Sequence, residues 1–215
     1  MQCGAAQRDP MGGMDRIMRS AKRYHAVVFD LEFTAWDGSL ASRWSRDGEH
    51  TEVVQIGAVK LDAKTLKLTG EFECLVRPRV NPVLSQYLIN LTGITNEMID
   101  ARAVDFITAY RAFLDFVGPS PTWAFGRDDL IFAENLKLYA WDGLPVPPYS
   151  NAIPWFAAHG LDLTGKHACE VAEAAGATFT GRKHDALSDA HGVAAGIKAV
   201  VERGAANPFV SHEAP

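Results

Sequence analysis

Apolar residues run without a break from Ala26 to Phe29, inside a segment of alternating and continuous hydrophobicity over residues 24–33. Such a run is the pattern of a central strand buried on both faces, and this one delivers Asp30 and Glu32 at its end. A polar stretch over residues 37–50 reads as loop, and residues 52–61 and 70–77 read as two further strands. The short connector over residues 64–68 makes those two a hairpin, and Pro78 and Pro82 end the sheet-forming half. A helical middle follows, with Phe106, Tyr110, Phe113, Leu114 and Val117 at helical spacing until Gly118 and Pro119 stop it. Residues 121–126 then predict another buried strand and residues 129–140 a helix. The Pro145, Pro147 and Pro148 cluster marks a loop before helices over residues 153–159 and 185–203. Strands first, then helices interleaved with one more strand, predict an α/β domain on a mixed sheet, with no internal repeat.

Composition narrows this picture. With 215 residues and 47% hydrophobic content, the chain can bury one sizeable core. Residues 1–23 hold Pro10, Gly12 and Gly13 among scattered charges and are expected to be a flexible leader. The domain is expected over residues 24–203, with a tail over 204–215. A net charge of -5 and a pI near 5.8 exclude a protein that coats nucleic acid through bulk positive charge, but not an enzyme that meets phosphate through metal ions. Cys3, Cys74 and Cys169 form no Cys-x-x-Cys pair, which points to a reducing, cytoplasmic setting. No apolar run reaches the roughly 18 residues of a bilayer span, so no membrane association is expected.

Three acidic clusters carry candidate chemistry. Asp30 and Glu32, two apart on one strand, point to the same side of the sheet and can share one cation. Hard oxygen ligands of this kind suit Mg²⁺ or Mn²⁺ better than zinc. Arg127-Asp128-Asp129 follows Gly126 at a strand-to-helix junction, where either acid could equally serve as an N-terminal helix cap. His184 precedes a helix on which Asp185 and Asp189 share a face, so Asp189 can reach a metal and His184 can approach the same site. The other histidines have no shared spacing. Trp36 and Trp44, just after the first cluster, are loop or core anchors with some chance of substrate contact.

In that order, Asp-x-Glu, Gly-x-x-Asp and His-x-x-x-x-Asp resemble the three motifs of the DEDDh 3′→5′ exonuclease superfamily. Residues 52–58 resemble its second strand and residues 91–95 the segment after it, and residues 184–190 resemble the third motif of the Eri-type and KapD-like branch. The resemblance covers residues 24–203. It implies a ribonuclease H-like mixed sheet flanked by helices on both faces, two Mg²⁺ or Mn²⁺ ions, and single-stranded nucleic acid or nucleic-acid 3′ ends as substrate. It further implies that Asp30, Glu32, Asp129 and Asp189 are the metal-side acids and that His184 is the general base. Phe33 is implied to pack against the terminal base. Spacing from Gly126 favours Asp129, with Asp128 as its rival. Release of nucleoside 5′-monophosphates by a two-metal mechanism is then the expected reaction. Two other functions share these residues: a disabled nucleic-acid-binding or interaction module, and a hydrolase of small phosphoesters. Arg127, Arg182 and Lys183 flank the motifs and are either phosphate contacts or solvated surface charge.

Overall fold

The computed structural model describes residues 25–141 and 143–210, so the expected leader lies outside the described residues. Three long strands pair antiparallel: β1 (His25–Phe33), β2 (Val53–Asp62) and β3 (Leu68–Arg77). The β2–β3 hairpin falls where the sequence places it. Its turn is closed by Asp62, whose Oδ1 accepts the backbone N–H groups of Lys64 and Thr65 at 3.1 and 2.7 Å. Short strands β4 (Val104–Asp105), β5 (Thr122–Ala124) and β6 (Tyr149–Asn151) join by parallel pairing, giving the order β4-β3-β2-β1-β5-β6. The long apolar strand is therefore interior to the sheet, as continuous hydrophobicity requires.

The helices are α1 (Ser39–Ser42), α2 (Gln86–Thr92), α3 (Asn96–Arg102), α4 (Phe106–Val117), α5 (Asp128–Leu138), α6 (Ala152–Ala158), α7 (Val171–Ala174) and α8 (Ala186–Glu202). A 3₁₀ turn, Ala168–Glu170, precedes α7. Period-two alternation on β1 divides the core between the two faces. Val27, Phe29 and Leu31 pack with Tyr110, Phe113, Phe132 and Leu136 of α4 and α5. Ala26 and Val28 pack with Phe156, Ala190, Val193 and Ile197 of α6 and α8. The sheet thus has helices on both faces. The first face is aromatic: the rings of Phe29 and Phe132 stack at 5.6 Å, and Phe113 lies 5.3 Å from Phe29.

Helix ends follow their side-chain signals. The Asp105 side chain caps α4 by accepting the Thr108 N–H, and Gly118, at φ 58°, ends it. The Asp185 side chain caps α8 through the Ser188 N–H at 3.0 Å. The short elements α1, β6 and α7 occupy segments the sequence predicts as loop or leaves unassigned. Three or four residues are too few to show a period, and neighbouring strands and helices supply what order they have. Residues after 203 also join the core. Phe209 is buried edge-on against Trp123, and Asn207 Nδ2 donates to the Ala63 carbonyl at 2.9 Å, so the packed unit runs to Phe209, past the boundary expected at residue 203.

Candidate active site

The site begins with a close approach that one glycine permits. Asp30 on β1 lies opposite Gly57 on β2, and a Cβ at Gly57 would overlap the backbone of Ala186 and Leu187. With no side chain there, the first turn of α8 rests directly on the sheet beside Asp30 and Glu32. Gln55, two residues earlier and buried, fixes the orientation of that turn. Its Oε1 accepts the Ala186 N–H at 3.0 Å, and its Nε2 donates to Asp185 Oδ2 at 2.9 Å and to Glu73 Oε1 at 3.2 Å. Asp189, one turn along α8, is thereby carried to the β1 acids. Asp30, Glu32 and Asp189 each offer a carboxylate oxygen within 4.8 Å of the others.

Asp128, the rival in the sequence, lies beside this acid group, and Asp129, which spacing from Gly126 favours, does not. Asp128 is buried and is the strongest charged influence on Asp30 after burial itself. Asp129 turns away and is held by Arg127, Nε to Oδ1 at 2.8 Å and Nη2 to Oδ2 at 2.9 Å. The reason is helical phase. Asp128, Phe132, Asn135 and Leu136 occupy the buried face of α5, and Asp129 starts one position, about 100° of helix, off that face. Read against Phe132 and Leu136, periodicity within the sequence itself selects Asp128.

The electrostatics are those of acids crowded together away from water. Burial, then Asp128, Glu32 and Asp189, push the Asp30 carboxyl well above the ordinary carboxylate range. Burial and then Asp189 and Asp128 raise Glu32 to about 8, burial and Asp129 raise Asp128 to about 8, and burial above all raises Asp189 to about 7. Two oxygens of the group, Asp128 Oδ2 and Asp189 Oδ1, are buried without a hydrogen-bond partner. Acids left like this call for protons or a cation, and an all-oxygen donor set fits a hard divalent ion such as Mg²⁺ or Mn²⁺.

His184 stands at the edge of the same group with a left-handed backbone, φ 57°, just before the α8 cap. Its half-buried ring has a ligand nitrogen within 4.8 Å of an Asp189 oxygen and of the Cys169 sulfur. Burial, then the neighbouring His167, Lys183 and Arg182, lower its pKa, which favours the neutral imidazole over the imidazolium. Phe33 is partly buried with its ring 5.4 Å from that of Trp44, whose Nε1 donates to the Thr34 carbonyl at 2.8 Å. Phe33 and Trp44 line a groove of about 770 Å³ together with Ile131, Asn135 and Lys137. The flanking cations are engaged: Arg127 holds Asp129, Arg182 Nη2 donates to the Asn90 and Leu91 carbonyls at 3.3 and 3.2 Å, and Lys183 lies 3.8 Å from Glu173. Cys169, His167 and Gln55 are not site candidates in the sequence, where nothing in their local pattern connects them to the motifs.

Comparison with known proteins shows the family and the fold. The family model described as Exonuclease (RNase_T) matches residues 27–195. Over 79 residues the chain is 32% identical to human ERI1 exoribonuclease 2, a match covering 35% of this chain and 10% of that protein. It is 30% identical over 77 residues to the Drosophila melanogaster 3′-5′ exonuclease Snipper, covering 36% of this chain and 26% of that protein. The matched stretch is thus a small part of these relatives. Among solved structures, the nuclease domain of 3′hExo, a DEDDh family member bound to rAMP, superposes with a TM-score of 0.68 at 20% identity, covering 86% of this chain and 94% of that one. The mixed sheet with helices on both faces is therefore the ribonuclease H-like fold of these exonucleases.

Proposed function

Because the chain belongs to this exonuclease family, we propose that it removes nucleotides from the 3′ end of single-stranded nucleic acid, with RNA as its first substrate, releasing nucleoside 5′-monophosphates. The observation that carries the proposal is the convergence of Asp30, Glu32 and Asp189 within 4.8 Å of one another beside a histidine that burial keeps neutral. RNA is placed first because human ERI1 exoribonuclease 2 and human 3′-5′ exoribonuclease 1 carry ribonuclease in their names.

In this reading Asp30, Glu32 and Asp189 would hold one divalent ion, and Asp30 with Asp128 would hold a second. Bound there, Mg²⁺ or Mn²⁺ supplies charge neutralisation at the scissile phosphate and lowers the pKa of an attacking water. The protein's own groups do the rest. His184 takes the water's proton at a ring nitrogen, and its neutral form is available for this because burial and neighbouring cations disfavour the imidazolium. Gln55 and Gly57 fix the α8 turn, so His184 and Asp189 keep their place relative to β1. Phe33 offers its face to the terminal base, and the groove past Trp44 and Lys137 leads the preceding nucleotides away.

The test is degradation of end-labelled RNA and DNA oligomers and of small phosphoesters, with Mg²⁺, Mn²⁺ or EDTA. Stepwise shortening from the 3′ end, abolished by EDTA, is the expected outcome. Metal binding without turnover identifies a disabled binding module, and preference for small esters identifies a phosphoesterase.

A further inference from the structure

A second constellation shares residues with the acid group but has different chemistry. The Cys169 sulfur, a His184 ring nitrogen and an Asp189 oxygen lie within 4.8 Å of one another. Cys169 reaches this point from the 3₁₀ turn Ala168–Glu170, which is braced by a reciprocal cap: the His167 side chain accepts a backbone N–H in the turn, and Glu170 Oε2 accepts the His167 N–H at 2.9 Å. The His167 ring stands 5.4 Å from the His184 ring, edge to face. Asp189 is 2% exposed and its Oδ1 has no hydrogen-bond partner, so one member of the group is a buried carboxylate with an acceptor the protein leaves unsatisfied.

We propose that Cys169, His184 and Asp189 form a site for a thiophilic divalent cation, zinc above all, whose occupation excludes the carboxylate-bound metals and switches the enzyme off. One sulfur, one nitrogen and one oxygen with a fourth position open is a donor set zinc accepts and Mg²⁺ does not. Tetrahedral zinc with bonds of about 2.0–2.3 Å spaces its ligand atoms roughly 3.4–3.6 Å apart. Binding forms the sulfur–metal bond and releases the thiol proton to solvent.

Exclusion follows from the shared residues. Asp189 belongs to both groups, and a zinc-bound His184 has no lone pair left to accept a proton. The inhibition rests on the exonuclease reading above, whereas the cation site itself does not.

The test is titration of the full chain with Co²⁺, a zinc substitute whose thiolate bond gives a charge-transfer absorption in the near ultraviolet. The expected result is such a band at one equivalent, displaced by Zn²⁺ but not by Mg²⁺, and lost in Cys169→Ser and His184→Ala. Retention of the band in Cys3→Ser/Cys74→Ser, which leaves the buried site untouched, identifies Cys169 even if Cys169→Ser folds poorly. In parallel, Zn²⁺ should inhibit Mg²⁺-supported hydrolysis at concentrations at least about tenfold lower in the wild type than in Cys169→Ser, the loss expected for removing one ligand. A band with no hydrolysis under any condition supports the site and sinks the exonuclease reading. Absence of the band in the wild type, its persistence in Cys169→Ser, or equal zinc inhibition of both proteins overturns the proposal.

Discussion

Two buried carboxylate sites lie on the same pair of strands and differ in how they are satisfied. Glu52, fully buried at the start of β2, accepts the backbone N–H groups of Arg79, Val80 and Asn81 at 2.7, 2.8 and 2.6 Å and the Tyr139 hydroxyl at 2.6 Å. Every acceptor there has a donor from the protein. The Asp30 group has the reverse: four acids face one another, two oxygens have no partner, and Arg127, the nearest cation in sequence, is spent on Asp129 outside the group. A carboxylate kept for structure is surrounded by donors that the fold supplies, while one kept for chemistry is left short of them. The contrast separates residues that hold the β2 end to the loop after β3 from residues that await a cation.

The largest effect expected from breaking this contrast is on the unsatisfied side. Asp30→Ala and Asp128→Asn should each bring hydrolysis down to the metal-free background, whereas Asp129→Asn, which opens only an exposed ion pair worth up to about 1 kcal/mol, should stay close to wild type. Steady-state rates on end-labelled RNA rank the three. Equal, small losses for Asp128 and Asp129 would falsify the placement of Asp128 among the metal-side acids.

His184→Ala should lower turnover by about 10²–10⁴-fold, the usual contribution of a positioned base, and leave Mg²⁺ binding nearly intact. Its rate profile should lose the acidic limb that imidazole protonation gives the wild type. Calorimetric metal titration beside the pH profile checks both parts, and a variant unable to bind Mg²⁺ would move His184 from base to ligand.

On the satisfied side the loss is of stability. Glu52→Ala leaves three part-buried N–H groups and a buried hydroxyl without their acceptor at about 1 kcal/mol or more each, so a total of roughly 4 kcal/mol is expected in urea unfolding. Activity per folded molecule should survive. Loss of activity without loss of stability would place Glu52 with the catalytic acids instead.

The smallest effect is a pH dependence that the unsatisfied group produces. Its folded-state pKa values lie above those of the unfolded chain, so the stability it contributes is fully present below about pH 4, the unfolded carboxylate range. That stability is lost as pH rises through the values of about 7 for Asp189 and about 8 for Glu32 and Asp128. Thermal midpoints in EDTA should therefore fall between pH 5 and 8, by a lesser amount in Glu32→Gln, and Mg²⁺ should restore them at the alkaline end. A midpoint that rose over this interval would contradict the crowding of these acids.

Much of this was legible in the chain. The unbroken apolar run before Asp30 specifies an interior strand, its period of two puts Asp30 and Glu32 on one side, and the helix after His184 puts Asp189 one turn inward. The short strands β4 and β6 were not legible, because two or three residues carry no period and exist only by pairing with β3 and β5. Nor was the packing of Phe209, whose partner Trp123 lies 86 positions away in sequence.

By itself, then, the sequence determined which segments are strands and helices and which three places along the chain bring acids to a site, since both follow from local period and capping chemistry. Tertiary structure alone decided what each acid meets there. Asp128 meets Asp30 of β1, the gap at Gly57 lets α8 settle on the sheet, and a turn near residue 169 brings a thiol to His184. Local pattern sets the direction of a side chain relative to its own element. Its partners depend on how separate elements pack, and that is fixed by contacts between residues far apart in the chain.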